Sequence, residues 1–125
     1  MSTLLIDTAH PKASVAVAKN NKIVAEKSWQ ADNAVGSALL VAIDDVLDQS
    51  GIARSDIACV AVHRGPGHYS ALRAGIVTAS LLADVLEVPL KHFATKDFHK
   101  SKFLEELDRT KSVAVIQPQY EKLNN

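Results

Sequence analysis

Residues 57–88, IACVAVHRGPGHYSALRAGIVTASLLADVLEV, join an apolar run, a Gly-Pro-Gly turn and a long apolar segment with no internal proline. The run Ile57–Val62 has no polar face. It therefore suits a strand covered on both sides, as in the parallel part of a sheet. From Ala71 to about Leu86 the composition favours a helix. Gly65 and Gly67 free the backbone while Pro66 stiffens the turn between them. The unit reads as strand, glycine loop and helix N-terminus. Such a unit either packs strand against helix or turns backbone N–H groups toward an anion.

That helix carries polar residues only at Arg73, Thr78, Ser80 and Asp84, whereas Leu72, Ile76, Val77, Leu81, Leu82, Val85 and Leu86 spread round its circumference. A helix apolar on all sides needs cover on more than one of them. One side can lie on a sheet, but 125 residues make a single domain with little chain left for the other. The expected cover is another polypeptide, with Leu39, Leu72, Arg73, Ile76, Val77, Ser80, Leu81 and Asp84 as the interface and Val35 and Val41 of a preceding helix beside them. Thr78 and Ser80 are small enough to let helices approach. Arg73, placed in the first turn, opposes the helix dipole and is expected to meet an acid.

The remaining chain reads in order. Thr3–Asp7 and Ser14–Ala18 are short strands, and Asn20-Asn21 suits a tight hairpin into a third strand, Lys22–Trp29. Asp32 or Asn33 can cap a helix whose stripe is Leu39, Leu40, Ile43, Val46 and Leu47, and Gly51 ends it. Asp44, Asp45 and Asp48 form its solvated face. Pro89–Phe93 is a fifth strand, residues 96–109 a weaker third helix, Val113–Ile116 a terminal strand, and Gln117–Asn125 a polar tail expected to fray. Right-handed crossovers then predict an α/β fold with a mixed five-stranded sheet, order 3-2-1-4-5, and helices packed on it. Residues 1–93 make the lobe, and 94–125 add to the same domain.

Charged residues are 22%, hydrophobic ones 47%, and the formal net charge is zero. These values suit a globular protein and speak against a dedicated nucleic-acid binder. No apolar stretch approaches the length of a membrane span, and no leader pattern is present. The single Cys59 reads as a buried free thiol of a reducing compartment. Ser70 lies outside a G-x-S-x-G elbow, and His63, His68 and His92 lack metal-ligand spacing, so neither a catalytic residue nor a metal site is expected.

RGPGHYSALRAG resembles the GPGSFTGLRIG signature of the TsaB family, and LLIDTAHPKASVAV resembles that family's first strand, Asp-Thr turn and second strand. Spacing agrees over residues 3–93, with His68 and Ala71 standing where the family has serine and glycine. The resemblance implies a single lobe of the actin-like, ribonuclease-H-like fold, with a second lobe lost between about Phe93 and Val113; IQPQYEKL is similar to the family's terminal Pro-x-Tyr. It implies a non-catalytic scaffold without cofactor in the synthesis of threonylcarbamoyladenosine at the tRNA adenosine next to the anticodon, and the lone cysteine and absent leader pattern place that scaffold in the cytoplasm. The implied partners are a TsaD-like catalytic subunit and a TsaE-like ATPase, with a homodimer when the chain is alone.

Asp7 would stand where actin-like ATPases keep a carboxylate near the phosphates, so Asp7, Thr8, Gly65 and Gly67 are a candidate vestigial phosphate site. The turn Thr8-Ala9-His10-Pro11 lacks the glycine such a hairpin uses. His63, Arg64, His68 and Arg73 form a cationic edge that either meets tRNA phosphate or a partner's acid indirectly, or is ordinary surface charge. Two other readings stay open: a small nucleotide- or acyl-phosphate-using enzyme built on Asp7 and the glycine loop, and a self-dimerising structural module.

Overall fold

The computed structural model describes residues 2–30, 35–67, 69–94, 97–100 and 102–120, without the side chains of residues 35, 36 and 69. Strands β1 (Ser2–Asp7), β2 (Lys12–Lys19), β3 (Lys22–Gln30), β4 (Ile57–His63) and β5 (Leu90–Phe93) form one sheet in the order β3-β2-β1-β4-β5. β2 runs antiparallel to both β1 and β3, while β4 runs parallel to β1 and β5. This is the mixed sheet expected. Asn20 and Asn21, at φ 53° and 60°, make the β2–β3 turn in the left-handed conformation that a two-residue hairpin requires.

Alternation along the strands divides the core in two. Leu4 and Ile6 of β1, Val15 and Val17 of β2, and Val60 and Val62 of β4 face helices α1 (Val35–Ser50) and α2 (Tyr69–Leu86), which supply Leu39, Ile43, Val46, Leu72, Ile76 and Ala79. Leu5, Ala16 and Ala61 face the other way, toward Phe93, Phe98 and the short helix α3 (Phe103–Arg109) with Phe103 and Leu107. Gly51 at φ +70° ends α1, its N–H donating to Leu47 O at 3.0 Å, as a C′ glycine does. The proposed caps Asp32 and Asn33 lie outside the described residues. The acidic side of α1 is paired as well as solvated: Arg54 bonds Asp44 at 2.6 Å and Lys27 pairs with Asp45.

α2 begins at Tyr69, so Arg73 lies beyond its first turn. Of the third helix expected over 96–109, the described residues form a helix at Phe103–Arg109, and 97–100 do not belong to it. Val113–Ile116 forms no strand; the chain there is an irregular strap. Val113 N–H donates to Leu90 O at 2.8 Å, Ile116 enters the core, and Gln119 N–H donates to Arg64 O at 2.8 Å. Residues 117–120 are thereby tied to the glycine loop rather than frayed, and 121–125 lie outside the described residues.

Candidate functional site

α1 and α2 lie on the same sheet face and touch each other. Each buries one side and leaves an apolar side uncovered. On α2, Val77, Leu81 (61% exposed) and Val85 (76% exposed) recur every four residues, which places them in one row along the helix. Leu40 and Val41 of α1 are similarly exposed. Five of the seven large hydrophobic side chains exposed among the described residues thus belong to this helix pair. Arg73 and Asp84 are exposed on α2, while Ser80 is half-buried with its hydroxyl donating to Ile76 O at 2.8 Å. Leu39, Leu72 and Ile76, placed on the interface by sequence, are instead buried under the helices and belong to the core. The same α2 positions that contact the sheet cannot also face out. The side chain of Val35 lies outside the described residues.

The second constellation is the junction of the β1 turn with the glycine loop. Asp7 is buried; its Oδ1 accepts the Ala9 N–H at 2.9 Å and its Oδ2 accepts from His10 Nδ1 at 2.6 Å. The carboxylate is therefore used by its own turn. Thr8 is buried against α2, where a Cβ on Gly75 would strike its Oγ1. Among the described residues that hydroxyl has no hydrogen-bond partner. A Cβ on Gly67 would lie 2.8 Å from Ala9 Cα, and one on Gly65, at φ +104°, would strike Gln119 O. Gly67 N–H donates to Gln119 O at 3.3 Å. The glycines thus let three backbone segments close on one another, and the loop's Gly67 donor is turned to the strap.

His63 is buried rather than part of a cationic edge: its ring packs edge-on to Phe93 and His10, and its Nδ1 accepts the Gly65 N–H at 3.0 Å. Arg64 is half-buried, with Nη1 3.4 Å from Gln119 Oε1; His68 lies outside the described residues. His92 is half-buried, and burial, aided by the Arg64 charge, holds its imidazole below the usual range. Sequence does not single out His10, because ligand spacing along the chain does not register two strand ends made neighbours by the sheet. Asp7, His10 and His63 converge here at the ends of β1 and β4.

The family model described as "TsaD: tRNA N6-adenosine threonylcarbamoyltransferase" matches residues 15–111. The tRNA threonylcarbamoyladenosine biosynthesis protein TsaB of Bacillus subtilis is 27% identical over 90 residues, which is 72% of this chain and 39% of that protein. A tRNA N6-adenosine threonylcarbamoyltransferase of Syntrophotalea carbinolica is 43% identical over 53 residues, 42% of this chain and 16% of that protein. The structure of YeaZ from Pseudomonas aeruginosa superposes with a TM-score of 0.70 at 27% identity, covering 74% of this chain and 43% of that one. The chain therefore spans about two-fifths of the TsaB and YeaZ lengths and less of the transferase.

Proposed function

The chain belongs to the family of the tRNA N6-adenosine threonylcarbamoyltransferase model and is TsaB-like within it, and from that premise we propose that it is a non-catalytic partner subunit in the synthesis of threonylcarbamoyladenosine in tRNA. The partner is a TsaD-like catalytic subunit, docked on the exposed face of α1 and α2, with a TsaE-like ATPase in a larger cytoplasmic assembly. The observation that supports this reading is the exposed row Val77, Leu81 and Val85 on α2, together with exposed Leu40 and Val41 on the neighbouring α1. Large apolar side chains left exposed in a row along a helix are the kind of surface that a partner covers.

The scaffold reading is further supported by the phosphate-site geometry, where Asp7 serves its own turn and Gly67 N–H serves the strap. No described helix is long and apolar enough to cross a membrane. The test is co-expression with the same organism's TsaD-like protein, followed by assay of the modified adenosine. Wild type should co-purify and support modification, and Val77→Glu with Leu81→Glu should abolish both while circular dichroism stays native. Capture by the folded double variant at wild-type strength would move the interface elsewhere. ATP with magnesium should give no calorimetric heat with the chain alone; a Kd at or below tens of micromolar, about −6 kcal/mol, would favour the enzyme reading.

A further inference from the structure

Asp7, His10 and His63 each offer one ligand atom, and these atoms lie within 4.8 Å of one another. Asp7 and His63 are buried, whereas the His10 side chain is 33% exposed. The cluster is closed on the protein side and open to solvent past one imidazole. We propose that these three side chains bind a single first-row divalent metal ion, with zinc as the best match.

Two imidazoles and a carboxylate are the donor types that zinc accepts, and three protein ligands leave it one open position. Calcium and magnesium prefer oxygen ligands and fit this set poorly. The ligands come from two adjacent parallel strands: β1 ends at Asp7 with His10 in the turn after it, and β4 ends at His63. The site is therefore carried by the central strands of the sheet, and it does not depend on the partner-subunit reading.

One hydrogen bond makes the proposal specific. Gly65 N–H donates to His63 Nδ1 at 3.0 Å, and a backbone amide can only donate. The neutral His63 ring accordingly carries its proton on Nε2. A metal taking the Nε2 lone pair requires that proton to shift to Nδ1, and the Gly65 N–H must then turn away; an Asp7 that gives Oδ2 to the metal likewise gives up its 2.6 Å hydrogen bond from His10 Nδ1, while Oδ1 keeps the Ala9 N–H. The neutral ring keeps one proton throughout, so the change is a tautomer shift and not a net release. Metal binding at the strand ends is thereby coupled to the glycine loop.

The experiment uses the tag-free chain, titrated with zinc chloride by calorimetry and followed at the Gly65 amide by nitrogen-15 NMR. Wild type should take up one zinc per chain with micromolar or tighter affinity, and the Gly65 amide resonance should move with occupancy. His10→Ala should weaken binding by about tenfold or more, while His99→Ala, whose ring instead pairs with Glu26, should bind as wild type. His63→Gln is expected to lose binding too; should it fail to fold, the half-buried His10 position decides. Absence of stoichiometric uptake, wild-type affinity in His10→Ala, loss of affinity in His99→Ala, or a Gly65 amide unmoved at full occupancy would each overturn the proposal.

Discussion

Gly75 shows how narrowly one residue can be constrained. It sits within α2 facing Thr8, and any Cβ there falls on the Thr8 hydroxyl. Alanine gains about 1 kcal/mol of helix propensity over glycine, but overpacking a buried contact costs about 1–3 kcal/mol. Gly75→Ala should therefore destabilise, and Thr8→Ala in the same chain should restore part of the loss, a positive coupling readable in urea melts. Additive effects would show that the two residues do not press on each other. Cys59 makes a second residue-scale case. Burial pushes its thiol up, the Lys91 charge opposes this, and Asp108 adds to it. Its alkylation by iodoacetamide should thus be slower than in the urea-unfolded chain at neutral pH and keep rising at pH values where the unfolded thiol has levelled off. Equal rates in both states would refute a shielded thiol. At this scale Gly51, Asn20 and Asn21 were legible because their backbone conformations are written in residue type. The His10–Asp7–His63 meeting was not, since it exists only once β1 lies beside β4.

At the scale of elements, the strands and the central strand–loop–helix unit could be read from continuity and alternation, and the sheet order followed from crossover handedness. The orientation of α2 could not. A helix apolar all round gives no signal for which side meets the sheet, so its pattern alone offers Ile76 and Leu72 to a partner although they are core. The difference is testable: Ile76→Glu should unfold the chain by burying an unpaired charge, whereas Val77→Glu, one position on, should leave thermal unfolding nearly unchanged. A folded Ile76→Glu chain would reverse the assignment of faces. The strap was illegible for another reason. Its bonds to Leu90 O, Arg64 O and Gly67 N are long-range backbone contacts with no periodic pattern. Ile116 is its anchor in the core, so Ile116→Ala should cost about 2–4 kcal/mol, measured by chemical denaturation. A loss under about 0.5 kcal/mol, within the range of ordinary surface substitutions, would show that the strap does not brace the glycine loop.

For the whole molecule, the α1–α2 face bears on how the chain behaves alone. An uncovered apolar face on a chain of zero formal charge has little electrostatic repulsion to keep copies apart. Self-association through one such face gives an isologous dimer, because a two-fold axis sets Val77, Leu81 and Val85 of one copy against the same row or its neighbours in the other. The driving force is then burial of apolar surface, so sedimentation should show a monomer–dimer equilibrium that is nearly indifferent to added salt. The same face cannot serve two partners at once. Titration of the TsaD-like subunit should accordingly convert dimer into a one-to-one complex, with no species containing two copies of this chain and one of the partner. Leu81→Glu places a charge in the middle of the row and should yield a folded monomer at every concentration tested. A Leu81→Glu chain that still dimerises, or a homodimer that persists within the partner complex, would show that self-association uses a different surface from the one proposed for the catalytic subunit.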